Sequence, residues 1–303
     1  MILLVWLLFA AVAGALIWLD LFATKHRTHA LSTRRALAWY VFYVAMALLF
    51  CLGISMFRGP GKGLEFLTAY IIEVSLSVDN LFVFILIFAS FGVAVSRQPR
   101  VLKWGILGAV VMRIALILAG VALLNAFRWL IYVFGVVLII TAWRMAFGPE
   151  QEVDTEKHFM LRLARRIFPI AGGDTGESFF ARQSGKTCAT LLFLVLVMIE
   201  FSDLVFAVDS IPAVLAVTRD PLIAVTSNVF AIMGLRALYF VLAGVMGMFR
   251  FLKYGVALIL AFVGAKMLVE RWLPVATGLS LAVICVVLAA SVLLSALIRE
   301  KNS

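Results

Sequence analysis

Five carboxylates sit inside stretches of sequence that are otherwise too apolar to face water. Glu73 and Asp79 lie in one such stretch, and Glu200, Asp203 and Asp209 lie in another. A run of about 20 apolar residues spans a bilayer as a helix. An ionised carboxylate near the centre of such a helix costs at least ~2.5 kcal/mol. Acids kept at that cost must face the interior of a helix bundle and find partners there. The surrounding composition agrees with a membrane chain: 65% of the 303 residues are hydrophobic and only 14% are charged. Soluble domains are nearer half apolar and a quarter charged.

The spacing of apolar runs predicts an all-α integral membrane protein with about nine transmembrane helices. They fall at roughly 2–20, 36–57, 64–92, 104–124, 129–147, 187–212, 221–247, 253–270 and 274–297. The first run has no basic residue ahead of it, which argues for a retained helix over a cleaved signal peptide. The net charge of +10 follows a topological pattern, not a nucleic-acid patch, so no nucleic-acid partner is expected. Lys25, Arg27, Arg34, Arg35, Arg97, Arg100 and Lys103 fall on one side, as do the many basic residues of the 148–186 connection and of the C-terminus. Arg58, Lys62, Arg128, Arg219 and Arg271 fall on the other. The positive-inside rule then places the N-terminus outside and the C-terminus in the cytoplasm. The whole chain, 1–303, reads as a single polytopic domain in contact with the lipid bilayer, and 148–186 reads as a cytoplasmic loop. That loop opens on an acidic patch (Glu150, Glu152, Asp154, Glu156) and continues into a basic amphipathic stretch at 161–168, which suits an interfacial helix.

Two parts of the chain resemble each other. IEVSLSVDN at 72–80 matches IEFSDLVFAVDS at 199–210, with Glu73 opposite Asp203 and Asp79 opposite Asp209. The following spans carry Arg113 and Arg236, and FRWLIYVFG at 127–135 matches FRFLKYG at 249–255. Spans 3–5 therefore repeat as spans 6–8. A unit of three spans reverses orientation when repeated, which predicts inverted repeats with a site near the midplane.

The candidate metal residues are Glu73, Asp79, Asn80, Glu200, Asp203 and Asp209, with Arg113, Arg236 and Lys266 as charge-balancing groups. Five acids against three bases leave two negative charges if all ionise, the charge of one divalent cation. Carboxylate, amide and hydroxyl oxygens suit Mg²⁺, Ca²⁺ and Mn²⁺. Neither cysteine nor histidine stands beside them, and Cys51, Cys188 and Cys285 read as small buried hydrophobes. On a helix, Glu73 and Asn80 share a face, whereas acids six residues apart splay by about 120°. Local unwinding near Asp79 and Asp209 is therefore expected, and Pro212 favours it in the second unit. Each assignment has a plain structural alternative. Arg113 and Arg236 are as well explained as ion-pair partners, Asn228 as a bridge between helices, and Lys266 as a side chain snorkelling to the interface. Asp20 and Glu65, at span ends, need no function.

The stretches EVSLSVDNLFVF at 73–84, EFSDLVFAVDSIPAVLAVTRDP with SNVFAIMGLRALYF at 200–240, and KYGVALILAFVGAKML at 253–268 resemble the TerC family of bacterial membrane proteins. That family belongs to a larger group that includes LysE-type exporters, and its members are linked to tellurium-compound resistance and manganese export. The resemblance implies a multi-pass protein of the bacterial inner membrane. It also implies that the six residues named above form a metal site, with Mn²⁺ as transported substrate. The function expected is efflux of a divalent cation by alternating access, with proton exchange on the same carboxylates as the coupling this chemistry allows. An enzymatic role is not expected. An intramembrane aspartyl protease would pair YD with GxGD, whereas here both aspartates follow valine, at Val78 and Val208. A membrane scaffold in tellurium resistance is the other alternative. Sequence leaves the oligomeric state open.

Overall fold

A computed structural model describes residues 2–22, 33–127, 129–148, 176, 178–183, 186–243, 252–269, 272 and 275–297. The helices are α1 (Ile2–Phe22), α2 (Thr33–Arg58), α3 (Pro60–Ser90), α4 (Gln98–Ala126) and α5 (Leu130–Phe147). After a two-stranded hairpin come α6 (Leu191–Leu215), α7 (Pro221–Met233), α8 (Leu235–Ala243), α9 (Leu252–Val269) and α10 (Thr277–Leu297). Each expected span has a helix. Among the described residues, six helices are long and apolar enough to cross a membrane, or seven if the bent pair α7 and α8 is one span. The chain is thus a nearly all-helical integral membrane protein.

The bundle is built around α3. In its most apolar stretch 65% of the residues are buried, against 17% in α2, α5 and α10. It packs on α2, α6, α7 and α10. The alternation of outer and inner helices is what a membrane bundle requires: outer helices turn apolar side chains to lipid, and only a central helix can carry polar ones. An aromatic cluster of Phe9, Phe50, Phe66 and Phe230 ties α1, α2, α3 and α7, with ring centroids 5.0–6.2 Å apart. Two cross-packings recur: α3 lies on α7, and α4 lies on α6.

Helix ends follow local chemistry. Gly59 turns the chain between α2 and α3 with φ +94°, a conformation that L side chains rarely adopt, and Pro60 starts α3 where its missing N–H costs nothing. Asp220 caps α7 by accepting from the Leu222 backbone N–H at 3.0 Å, again with a proline following. At that same end Asp220 pairs with Arg58 (2.9 Å). Glu65 pairs with Lys62 (2.7 Å) and accepts from Thr218 Oγ1 (2.6 Å). Glu65, which the sequence left without a role, therefore joins the start of α3 to the turn before α7.

Several expectations are corrected. Neither α3 nor α6 unwinds: both run as continuous α-helices through Asp79 and Asp209. Pro212 falls in the last turn of α6, where it removes one bond to the Val208 carbonyl without ending the helix, which runs on to Leu215. The break comes instead at Gly234, where α7 and α8 meet at 41°. The sixth span starts at Leu191, not 187, because Lys186–Ala189 form a strand paired antiparallel with Phe180–Gln183. Thr190 closes this hairpin onto α6, donating to the Ser178 carbonyl (2.7 Å) while its oxygen accepts from Phe193 N–H. Cys188 is buried on that strand, whereas Cys51 is partly buried and Cys285 is exposed on α10. The acidic patch at 150–156 and the amphipathic stretch at 161–168 lie outside the described residues.

Helices α5 and α9 approach through glycine. A Cβ on Gly135 would stand 3.0 Å from the Gly264 carbonyl oxygen, and one on Gly264 would stand 2.8 Å from that of Gly135. Small residues let helix backbones close in where lipid offers no hydrophobic drive. Gly135→Val and Gly264→Val should each lower the thermal unfolding midpoint in detergent, with overpacking costing ~1–3 kcal/mol. Gly14→Ala and Gly53→Ala, whose added methyl meets nothing within 4 Å, should not lower the midpoint and should raise it slightly, since alanine is the better helix former.

Candidate functional site

Where α3, α4 and α6 meet, the structure buries an arginine between two acids. Arg113 projects from α4 and is wholly buried. Its Nε donates to Asp203 Oδ2 at 3.0 Å and its Nη2 to Asp203 Oδ1 at 2.7 Å, a two-pronged grip that fixes both groups. Nη1 forms an ion pair with Glu73 of α3 and lies 3.4 Å from Ser210 Oγ. Asn80 completes the cluster. With its amide oriented to satisfy both ends, Nδ2 donates to the Leu76 carbonyl (3.1 Å) and Oδ1 accepts from Arg113 Nη2 (3.2 Å). Glu73 and Asn80 thus share a face, as their seven-residue separation requires, and that face meets Arg113.

The two acids are held differently. Asp203 has both oxygens engaged by the guanidinium. Glu73 is fully buried, with Oε1 in direct contact with Arg113 Nη1, while its Oε2 accepts no hydrogen bond within the described residues. A carboxylate in that state is the group of the cluster most open to another positive partner.

The remaining candidates are distributed around this centre. Glu200 lies one turn from Asp203 on α6, and its carboxylate occupies the space over Gly108 of α4: a Cβ added there would collide with Oε1. Gly108 is therefore the notch that admits Glu200. A glycine in an apolar helix was the available signal, but nothing in the sequence said which neighbour filled it. Asp209 leaves the cluster altogether and accepts from Thr141 Oγ1 of α5 at 2.7 Å. This explains the six-residue gap without unwinding: Asp203 serves α4 and Asp209, 120° around the helix, serves α5. Lys266, buried on α9, donates to Ser280 Oγ of α10 at 3.0 Å. Arg236 is buried on α8 beyond the bend. Asp79 belongs to α3, and its side chain lies outside what the structure describes. Among the described residues no three His, Cys, Asp or Glu side chains are grouped to hold one metal ion. Of the six expected ligands, Glu73, Asn80 and Asp203 thus meet at Arg113, Glu200 lies one turn from Asp203, and Asp209 faces α5.

Comparison with known proteins supplies the family. A model of the integral membrane protein TerC family matches residues 58–303. The chain belongs to the TerC family. It is 43% identical over 298 residues to "Uncharacterized membrane protein STKORF319" of Myxococcus xanthus, covering 98% of this chain and 93% of that one. It is 41% identical over 308 residues to a Salmonella typhi protein described as "Putative membrane-bound redox modulator Alx", covering 99% and 96%. A protein of the same description in Escherichia coli K12 is 40% identical over the same length, with the same coverage. No solved structure matches the chain significantly.

Two outcomes test the geometry of this TerC site. Gly108→Ala should displace the Glu200 carboxylate and impair whatever depends on it, and Glu200→Asp in the same chain, shorter by one methylene, should restore part of the loss; ion binding or flux reads both. Arg113→Ala, which strands two buried acids, should destabilise by roughly 3–5 kcal/mol. Adding Glu73→Gln and Asp203→Asn should recover the thermal midpoint.

Proposed function

We propose that this TerC protein exports a divalent cation, Mn²⁺ being the ion that its family resemblance favours, across the bacterial inner membrane by alternating access. The observation that carries the reading is the Glu73 carboxylate, wholly buried, with Oε1 against Arg113 and Oε2 accepting no hydrogen bond within the described residues. Oxygen ligands suit a hard divalent ion. An arginine already in place supplies the means of release. While the site is empty, Arg113 pairs with both acids, one positive charge shared between two carboxylates. An arriving cation displaces the guanidinium from Glu73, while the two-pronged grip on Asp203 keeps Arg113 anchored. Return of the guanidinium to Glu73 then expels the ion, with protons able to take its place on Glu73 or Glu200.

The architecture supports two-sided access. The pairing of α3 with α7 and of α4 with α6 is what an exchange of two inverted three-helix units leaves unchanged. The contacts among Arg58, Lys62, Glu65, Thr218 and Asp220 tie the two units together at the end opposite the basic loops, which the positive-inside rule makes the outside. The N-terminus is then outside, the C-terminus cytoplasmic, and the 148–186 segment the connection on the loading side. The chain acts as a transporter and not as an enzyme, with the ion and the bilayer as its partners.

The redox description attached to the Salmonella and Escherichia relatives suggests a second reading. In this chain it would have to run through Cys51, Cys188 and Cys285, which form no disulfide among the described residues and sit on α2, β2 and α10 (β2 being the strand Lys186–Ala189). A scaffold role in tellurium resistance would need no ion flux at all. Purified protein in liposomes separates these readings. The wild type should move Mn²⁺, a pH gradient should change the rate, and Glu73→Gln should reduce flux by at least about tenfold, the loss expected when one charged ligand goes. Flux equal in wild type and Glu73→Gln, or none in the wild type, would sink the proposal.

A further inference from the structure

The bundle holds a groove that the acids around Arg113 do not use. It lies between α1 and α4, which both pack on α7, and it contains about 340 Å³ of unfilled space. Leu16 and Ile17 of α1, Ile106, Leu107 and Val110 of α4, and Met233 of α7 line it with hydrocarbon. Two polar side chains join them: Tyr43 of α2, which is buried, and Lys103 of α4, which is half-buried. Lys103 is the sixth residue of α4 and Val110 the thirteenth. The lining therefore passes from an ammonium to aliphatic side chains over ~10 Å of helix.

The surroundings fix the depth of the mouth. The end of α1 and the starts of α2 and α4 lie on the basic side of the bundle, which the orientation proposed above makes cytoplasmic. Trp18, Trp39 and Trp104 stand within about two turns of those three helix ends. Tryptophan gathers at the level of lipid head groups. Trp18 and Trp104 are exposed, as is Val111 beyond Val110, so both rims of the groove face the bilayer. Arg100, one turn before Lys103 on the same face of α4, adds a second positive charge at the mouth, with its guanidinium 5.5 Å from the centre of the Phe179 ring.

We infer that this groove binds an anionic phospholipid of the cytoplasmic leaflet, with an acyl chain along α1 and α4 and the phosphate against Lys103. A volume near the lower end of ligand clefts, roughly 300–1,000 Å³, admits one hydrocarbon chain and leaves the head group outside. Moving that chain out of the bilayer gains little, because lipid is already as apolar as the groove. Selection must then come from the head group, and the charge at the mouth is positive. Basic pockets between helices on the cytoplasmic side are where anionic head groups settle. An ammonium has three donors, so Lys103 can keep a contact within the bundle and still meet a phosphate oxygen. A lipid seated here would fill the gap between α1 and α4 beside Met233, the last residue of α7 before the bend at Gly234.

The test titrates the full-length purified protein in detergent with phosphatidylglycerol or phosphatidylcholine. Bound lipid is counted by native mass spectrometry, and the lipid-induced rise in thermal midpoint is followed in parallel. The wild type should retain phosphatidylglycerol in preference to phosphatidylcholine. Lys103→Met, which keeps the apolar stem, should weaken phosphatidylglycerol binding by about fivefold, the share of one basic residue near an anionic surface. Leu107→Trp, which fills the groove, should weaken binding of both lipids. Lys253→Met, on the same side of the bundle but on α9, should bind as the wild type does. Equal retention of the two lipids by the wild type overturns the inference, as does a Lys103→Met protein that binds like the wild type or a Lys253→Met protein that loses as much. Undiminished binding by a folded Leu107→Trp protein also overturns it. Should that variant not fold, Lys103→Met against Lys253→Met decides. None of these outcomes touches the ion reading, which flux through Glu73 tests separately.

Discussion

The structure turns on a guanidinium held in a place where water cannot reach it. Arg113 has no exposed surface, and neither does the Glu73 carboxylate beside it. In such surroundings either charge alone would cost several kcal/mol, so the two acids and the base exist only as a group. That requirement fixes the approach of three helices. α4 must bring Arg113 inward, α6 must turn Asp203 to meet two of its nitrogens, and α3 must present the face that carries Glu73 and Asn80. Once those faces are committed, the outer sides of the bundle are free to be apolar throughout, and the exposed leucines, valines and aromatic residues of α2, α5 and α10 are the result.

Within the group the bonds are unequal, and the inequality carries the functional argument. A pair in which every lone pair is matched is a structural element, because exchanging either partner leaves a buried charge. Asp203 and Arg113 form such a pair. Glu73 meets the arginine through Oε1 and leaves Oε2 without a hydrogen bond among the described residues, so one of its oxygens is open to a competing cation. The charge count made from sequence, with five acids set against three bases, treated all carboxylates as equivalent. The contacts separate them into one with both oxygens matched, one with a single oxygen matched, and one, Asp209, that belongs to a different interface.

The sequence made the class of fold legible because hydropathy acts over long runs, and a run of 20 apolar residues has few alternatives in a bilayer. It also placed Glu73 and Asn80 together, since seven residues is two turns. It named Arg113 as a partner because a buried base among buried acids has little else to pair with. What it could not supply were contacts decided by the rotation of one helix against another. The notch at Gly108, the Thr141 hydroxyl that meets Asp209, and the Ser280 hydroxyl that meets Lys266 are all ordinary residues in apolar spans. Their meaning appears only when the neighbour is known. The bend at Gly234 was hidden for a related reason: glycine is common in membrane helices, and proline drew attention to Pro212 instead.

The six-residue gap between Asp203 and Asp209 shows how a correct geometric premise led to the wrong structure. Six residues on a helix do separate two side chains by about 120°, and no regular helix can aim both at one point. From a single shared site, unwinding follows. The premise that fails is the shared site. With α4 on one side of α6 and α5 on another, the same splay distributes the two acids to two partners, and an unbroken helix is what makes that distribution possible. A similar gap separates Glu73 from Asp79 on α3, which is also unbroken. On the transport reading proposed above, an ion would meet the carboxylates of Asp203 and Asp209 on separate interfaces and would not have to be surrounded by both at once.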